Sequence, residues 1–425
     1  MILNRAQAPA FKQVNQIDLI QAKEDVLDNG LKVYTINGGE QDIIRIEFLF
    51  NNIGWTPVKP LLAFAGNSML VEGTPNLNSA QIAERIDYYG AFLQTDYNYD
   101  YSSVTLYTLN KHLKTTLSVV SEIIKNSVFP QDELNTFIQN QKQKLSVNLE
   151  KNDFIARRIF NNALFNDSIY GYIIEENDYE ALQRTDLIAY HEDAYTPANC
   201  TIIVSGKVAG NTLSILNELF GKNWVAKKQV KENQFQFHAG SGRQHYTERK
   251  DSLQSAIRIG HVSINRAHPD FPALQVLNTV LGGYFGSRLM ANIREDKGFT
   301  YGIGSVVISL QNAGYFFIAT EVGAEVTQPA IQEIEKEIAL LKTEPVSEEE
   351  LDLVKNYMLG SLLGSLENSF SHADKFKNIH FLGLGYDYYD YYIETVKNIT
   401  SNRVQEMAAQ YLDYEKMEKV IVGKP

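Results

Sequence analysis

Cysteine is almost missing from this chain of 425 residues, which has one, Cys200. A single thiol excludes an internal disulfide framework and any zinc site built from several cysteines. Its apolar setting, Cys200-Thr-Ile-Ile-Val204, predicts a buried and inert side chain. Long hydrophobic runs are missing as well. None approaches the roughly 18 apolar residues of a membrane-spanning helix. Residues 1–20 mix Arg5, Lys12, Gln13, Asn15 and Asp18 with short apolar pieces, which is not the pattern of a secretory leader. The expectation is therefore a cytoplasmic protein with no membrane contact, or a periplasmic one if a leader has been removed. Glycine and proline, at 27 and 11 residues, are not enriched, so no long disordered or low-complexity stretch is expected. Positive charge is also in short supply. Lys and Arg number 39 against 51 Asp and Glu, a net charge of −12. Such a surface repels phosphates and argues against nucleic-acid binding. It tolerates basic peptides, although solubility alone explains an acidic surface.

What the sequence does contain is a repeat. The length exceeds what one hydrophobic core usually fills. In the first half a strand-like run, Ile43–Phe50, precedes a helical stretch over Ser79–Tyr89 that stops at Gly90. Alternating strand residues follow from Phe92 to Tyr107, then a helix over Leu113–Asn126 and another after Leu134. The second half repeats the order. Ile257–Val262 reads as a strand, Ser287–Lys297 as a helix closed by Gly298, and Phe299–Ser309 and Gly314–Glu321 as strands. A helix over Thr327–Lys342 comes next, and Ser347 with Glu350 forms a capping box before the last helical run. Leu134 and Leu351 lie 217 positions apart, Thr185 and Thr400 215, Tyr195 and Tyr411 216, and Gly206 and Gly423 217. So constant an offset predicts a duplicated unit of about 200 residues. The mixed order of strands and helices predicts an α+β class, each unit a mostly antiparallel sheet with helices on one face. The domains are set at residues 1–225 and 250–425, with the polar stretch 226–249 as linker.

No generic catalytic motif is present: no Gly-x-Ser-x-Gly elbow, P-loop or dinucleotide fingerprint. The eight histidines are His112, His191, His238, His245, His261, His268, His372 and His380. No two are spaced i, i+4, so no helix face presents a pair of imidazoles, and each reads as a capping, surface or core residue. Tyrosine is abundant at 24 residues. Tyr97, Tyr99 and Tyr101 alternate as on one strand face, and Tyr386, Tyr388, Tyr389, Tyr391 and Tyr392 cluster. These rings suit sheet packing, or a peptide chamber or subunit interface.

Three segments carry a family resemblance. Leu281-Gly-Gly-Tyr-Phe-Gly-Ser-Arg-Leu-Met-Ala-Asn-Ile-Arg-Glu-Asp-Lys-Gly-Phe-Thr-Tyr301 resembles the second-domain signature of the insulinase/pitrilysin zinc peptidases, the group that includes the mitochondrial processing peptidases. Tyr195–Gly206 resembles the end of that family's first domain, and Leu27–Val33 its opening strand. The likeness spans essentially the whole chain and implies the family's fold of two homologous α+β domains.

The departures matter as much. Family enzymes carry His-x-x-Glu-His shortly before Gly-Thr, with a third ligand Glu further on. Here the matching stretch is Ala63-Phe-Ala-Gly-Asn-Ser-Met-Leu-Val-Glu-Gly-Thr74. Phe64 and Ser68 stand at the histidine positions, Asn67 at the general base, and Asn148 at about the third ligand. A phenyl ring cannot ligate zinc, and Asn67 cannot take a proton from water. The resemblance therefore implies a chain with no metal of its own, inactive alone. In the family an Arg and a Tyr seven positions apart reach a site on a different first domain, and Arg294 and Tyr301 keep that spacing. The implied role is a non-metal-binding subunit that supplies both residues in trans to a zinc-bearing homologous subunit, acting on unfolded peptides. Alone, the chain would be free to form a homodimer. The competing expectation is a structural protein of the same fold, like the respiratory-complex core proteins. A third, an enzyme with a rearranged metal site, needs a histidine cluster that the sequence does not show.

Overall fold

The computed structural model describes residues 17–225, 233, 235 and 242–424. Most of the stretch read as a linker, and His238 within it, lies outside the described residues. Two sheets organise the rest. The first contains β1 (Lys23–Val26), β2 (Lys32–Asn37), β3 (Ile43–Asn51), β4 (Phe92–Tyr97), β5 (Tyr101–Leu109) and β6 (Cys200–Gly206), in the order β1-β2-β6-β3-β5-β4. The second contains β7 (Gln244–Glu248), β8 (Gln254–Ser263), β9 (Thr300–Ser309), β10 (Gly314–Gly323) and β11 (Glu418–Gly423), in the order β7-β11-β8-β10-β9. Only β2–β6 and β7–β11 pair in parallel, so both sheets are mostly antiparallel, as the mixed element order implied. β7 also shows that the last residues of the polar stretch are a sheet strand rather than a connection.

The helices are α1 (Leu62–Ser68), α2 (Ser79–Asp87), α3 (Leu113–Asn126), α4 (Gln131–Leu149), α5 (Asn152–Phe165), α6 (Glu176–Glu180) and α7 (Arg184–Ala194). They continue with α8 (Thr212–Leu216), α9 (Phe271–Asn278), α10 (Thr327–Thr343), α11 (Glu348–Gly364), α12 (Ser369–His380), α13 (Asp387–Asn398) and α14 (Ser401–Tyr411). The duplication is visible in their starts. α4, α5 and α7 begin at 131, 152 and 184, and α11, α12 and α14 at 348, 369 and 401, a constant offset of 217. Gly206 and Gly423 close equivalent strands with φ of 116° and 143°. A Cβ on Gly206 would sit 2.3 Å from the Ile43 carbonyl oxygen, so the repeat keeps glycine where neighbouring strands crowd.

Alternation along β3 explains how the halves join. Ile44, Ile46, Phe48 and Phe50 point into the core shared with α1, α3 and α7. Arg45, Glu47 and Leu49 point to the other face, where one would expect water. They are buried all the same, because α12 from the second half lies across that face. Arg45 pairs with Asp374 at 3.0 Å, and Lys377 reaches Glu47 at 2.6 Å. The reciprocal holds for α5, whose Ala156, Phe160 and Leu164 pack on Ala256, Val420 and Val422 of the second sheet. Arg258 there pairs with Asp153 at 2.8 Å. Each half thus covers one face of its sheet with its own helices and the other with a helix from its twin. Each fully buried large apolar side chain in these layers contributes about 1.5–3 kcal/mol.

Candidate functional site

The stretch that resembles the zinc peptidases' metal motif lies on α1, which packs closely on its neighbours. Gly66 lets α1 approach α7 closely, since a Cβ there would meet the Tyr190 ring at 3.1 Å. Phe64 lies against the rings of Tyr97 (5.6 Å) and Phe137 of α4 (5.7 Å). Asn67 is 1% exposed and fully engaged. Its Nδ2 donates to the Asp96 carbonyl (2.7 Å) and the Ser103 carbonyl (3.1 Å), and its Oδ1 accepts from the Tyr195 hydroxyl (2.9 Å). The amide therefore ties β4 and β5 to the end of α7. A carboxylate has no proton to give those two carbonyls. Ser68, half-buried, is one turn beyond Phe64. Asn148 lies about 16 Å of helix axis beyond Phe137, and its Oδ1 accepts from Lys151 Nζ at 3.1 Å. A phenyl ring, a saturated amide and a hydroxyl do not fit zinc, which takes thiolate, imidazole or carboxylate. Among the described residues, no group of three His, Cys, Asp or Glu side chains is placed to hold a metal ion.

The Arg294 and Tyr301 positions are built differently. The run predicted as a helix over Ser287–Lys297 winds as a π-helix over Met290–Asp296. Lys297 N–H bonds to Asn292 and Phe299 N–H to Ile293, and Gly298 at φ 66° turns the chain into β9. Leu289 and Ile293 anchor this turn in the core. Arg294 is one residue past Ile293, so its side chain is 33% exposed. Its guanidinium carbon sits 4.6 Å from the Phe285 ring centre. Tyr301, on the edge strand β9, is 94% exposed. Both groups present donors to solvent beside an open sheet edge. Unsatisfied groups of this kind suit a bound peptide or a facing subunit.

Other expectations come out differently. Tyr97, Tyr99 and Tyr101 do not share one strand face. Asn98 Oδ1 accepts from the Asp100 and Tyr101 N–H groups and turns the chain, so β4 and β5 form a hairpin. Tyr97 packs on Phe64, Tyr99 on Tyr170, and Tyr101 stacks on Phe381 of the second half. The second tyrosine cluster belongs to the packing around α13: Tyr386 bonds Ala22, Tyr389 the Lys375 carbonyl, and Tyr391 the Pro269 carbonyl. The capping box is half present. Ser347 Oγ accepts from Glu350 N–H, but the Glu350 carboxylate is taken by a bidentate pair with Arg288 at 2.8 Å. Cys200 is buried, and burial pushes its thiol well above the usual range. Burial also lowers His261 to about 4, with Asp413 opposing weakly. What sequence reasoning missed is Phe285, whose signal is only an aromatic residue in a glycine-flanked loop nine positions before Arg294.

Residues 181–358 match the family described as Peptidase M16 inactive domain. Over that stretch the chain resembles the M16 peptidases. It is similar to an uncharacterized zinc protease, YmxG, of Bacillus subtilis, 28% identical over 72% of this chain and 75% of that protein. A Helicobacter pylori relative described as a non-peptidase homolog is 20% identical over 84% of this chain and 82% of its own length. The fold is that of a peptidase M16 inactive domain from Pseudomonas fluorescens, with a TM-score of 0.84 and 21% identity over 95% of this chain and 98% of that one. These likenesses are all to M16 proteins, and the residues on α1 do not fit a zinc site. Among its described residues no helix is long and apolar enough to cross a membrane.

Proposed function

We propose that this chain is the metal-free member of a two-chain zinc peptidase and lends Arg294 and Tyr301 to the site of a zinc-bearing homologue. The observation that carries the reading is a contrast within one chain. At the metal positions Asn67 is buried and Phe64 is packed against two rings, while Tyr301 is 94% exposed beside a partly exposed Arg294. Polar groups left outward on an ordered turn and strand cost nothing to a scaffold, but they also give it nothing. In a two-chain enzyme they have work to do. The Arg294 fork donates to a peptide carbonyl and fixes its position. The Tyr301 hydroxyl donates to the oxyanion that forms when the carbonyl is attacked. Zinc, held by the partner, supplies the activated water in this reading, and the residues of this chain only bind and orient. The substrate is an unfolded peptide, and the unpaired edges β4 and β9 suit its capture by strand addition.

The name of the Helicobacter relative favours a second reading, a scaffold of the same fold with no part in hydrolysis. One experiment separates the two. The chain is mixed with the zinc-bearing homologue of its organism, the complex is verified by gel filtration, and cleavage of a fluorogenic peptide library is followed. Arg294→Ala with Tyr301→Phe should lower kcat/KM by about 10²–10³ without loss of the complex. Unchanged cleavage by the double variant sinks the in-trans role.

A further inference from the structure

The loop before Arg294 is held more firmly than its glycines suggest. Gly282 lies so close to β9 that a Cβ would meet the Ser305 backbone nitrogen at 2.6 Å. Tyr284 is anchored on Tyr357 of α11, with ring centres 5.0 Å apart. A Cβ on Gly286 would meet the Tyr284 ring at 2.9 Å and push it aside. Arg288 fastens the far side of the loop to α11 through Glu350. Between these fixed points Phe285 is turned outward and is 65% exposed. The Arg294 guanidinium lies over its ring, 4.6 Å from the centre. The nearest carboxylate to Arg294, Glu295, is 3.7 Å away and more than half exposed, too weakly held to fix the fork.

We propose that Phe285 is the positioning residue for Arg294, holding the guanidinium by its ring face so that the N–H edge is aimed at a peptide carbonyl. The inference rests on the in-trans reading above. A long arginine side chain loses rotamer freedom when it binds, and a cation–π contact from a fixed ring removes part of that cost beforehand. Phe285 touches no reacting atom in this account and acts through Arg294 only.

The test uses the full chain in complex with its zinc-bearing homologue and a fluorogenic peptide. Phe285→Leu, which keeps bulk but has no ring, should lower kcat/KM by about two- to five-fold, the size of an exposed cation–π contact. Phe285→Tyr should restore the wild-type value. A second readout uses the chain alone, labelled at its arginine side chains. The Arg294 Hε resonance should be shifted upfield by the ring in wild type and Phe285→Tyr, and should return downfield in Phe285→Leu. Wild-type cleavage by Phe285→Leu, with Arg294→Ala impaired, overturns the positioning role and leaves the in-trans reading intact. Wild-type cleavage by Arg294→Ala overturns both. An Arg294 resonance that ignores the residue at 285 overturns the contact itself.

Discussion

At the scale of single residues, Asn67, which the resemblance sets at a general-base position, has a structural role here. In an enzyme of the family this place needs a proton acceptor. Here the side chain gives both its protons to the carbonyls of Asp96 and Ser103 and accepts from Tyr195. Rebuilding the motif should therefore fail on stability before it fails on chemistry. Asn67→Glu would aim a carboxylate at two buried carbonyl oxygens and leave both without a donor, although the Tyr195 hydroxyl could still donate to it. The expected cost is about 3 kcal/mol or more, read as a fall in the urea midpoint with unchanged slope. A midpoint equal to wild type would show that the amide is not a bracket. The sequence made Phe64, Asn67 and Ser68 recognisable as departures from a motif. It did not reveal the bracket, since Tyr195 lies 128 positions from Asn67 along the chain. Phe285 escaped for a related reason. A cation–π pair across nine positions depends on the path of the loop, and the π-helical turn that carries Arg294 has no clear local signature.

At the scale of elements, periodicity and caps placed β3, β8, β9 and β10 with α2, α3, α10 and α11, because those signals are local, while α5, α7, α9 and α12 to α14 went unread. Leu113–Asn126 is helical over the whole predicted span, and Gly298 turns the chain where it was expected to. The failures came where a local pattern had two solutions. Three alternating tyrosines fit one strand, but Asn98 bonding ahead to Asp100 and Tyr101 makes a hairpin instead. The strand reading of Ile43–Phe50 left the side of Arg45 and Glu47 unassigned, and α12 from the other half covers it. That cover depends on buried charge. Lys377→Ala would leave Glu47 buried without its nearest cation, 2.6 Å away in wild type. The expected loss is about 3–5 kcal/mol. Replacing both partners, Glu47→Leu with Lys377→Met, should recover most of it. Thermal and urea unfolding of the wild type, Lys377→Ala and the double variant checks this. A single variant as stable as wild type would show that α12 is held by its apolar face alone.

At the scale of the whole molecule, duplication was legible and interlocking was not. An offset of about 217 is a property of the sequence, but no offset says that α5 and α12 cross to the opposite sheet. The exchange makes the two halves one body, with the closed face of α1 in the first and the open Arg294–Tyr301 turn in the second. Everything proposed for the chain depends on that division. The most direct test is the zinc content of the purified full-length chain, measured by elemental analysis after dialysis against trace zinc. The account predicts far less than one zinc per chain, with the metal appearing only when the zinc-bearing homologue is added. One tightly held zinc per chain, lost on substitution of Ser68 or Asn148, would contradict it.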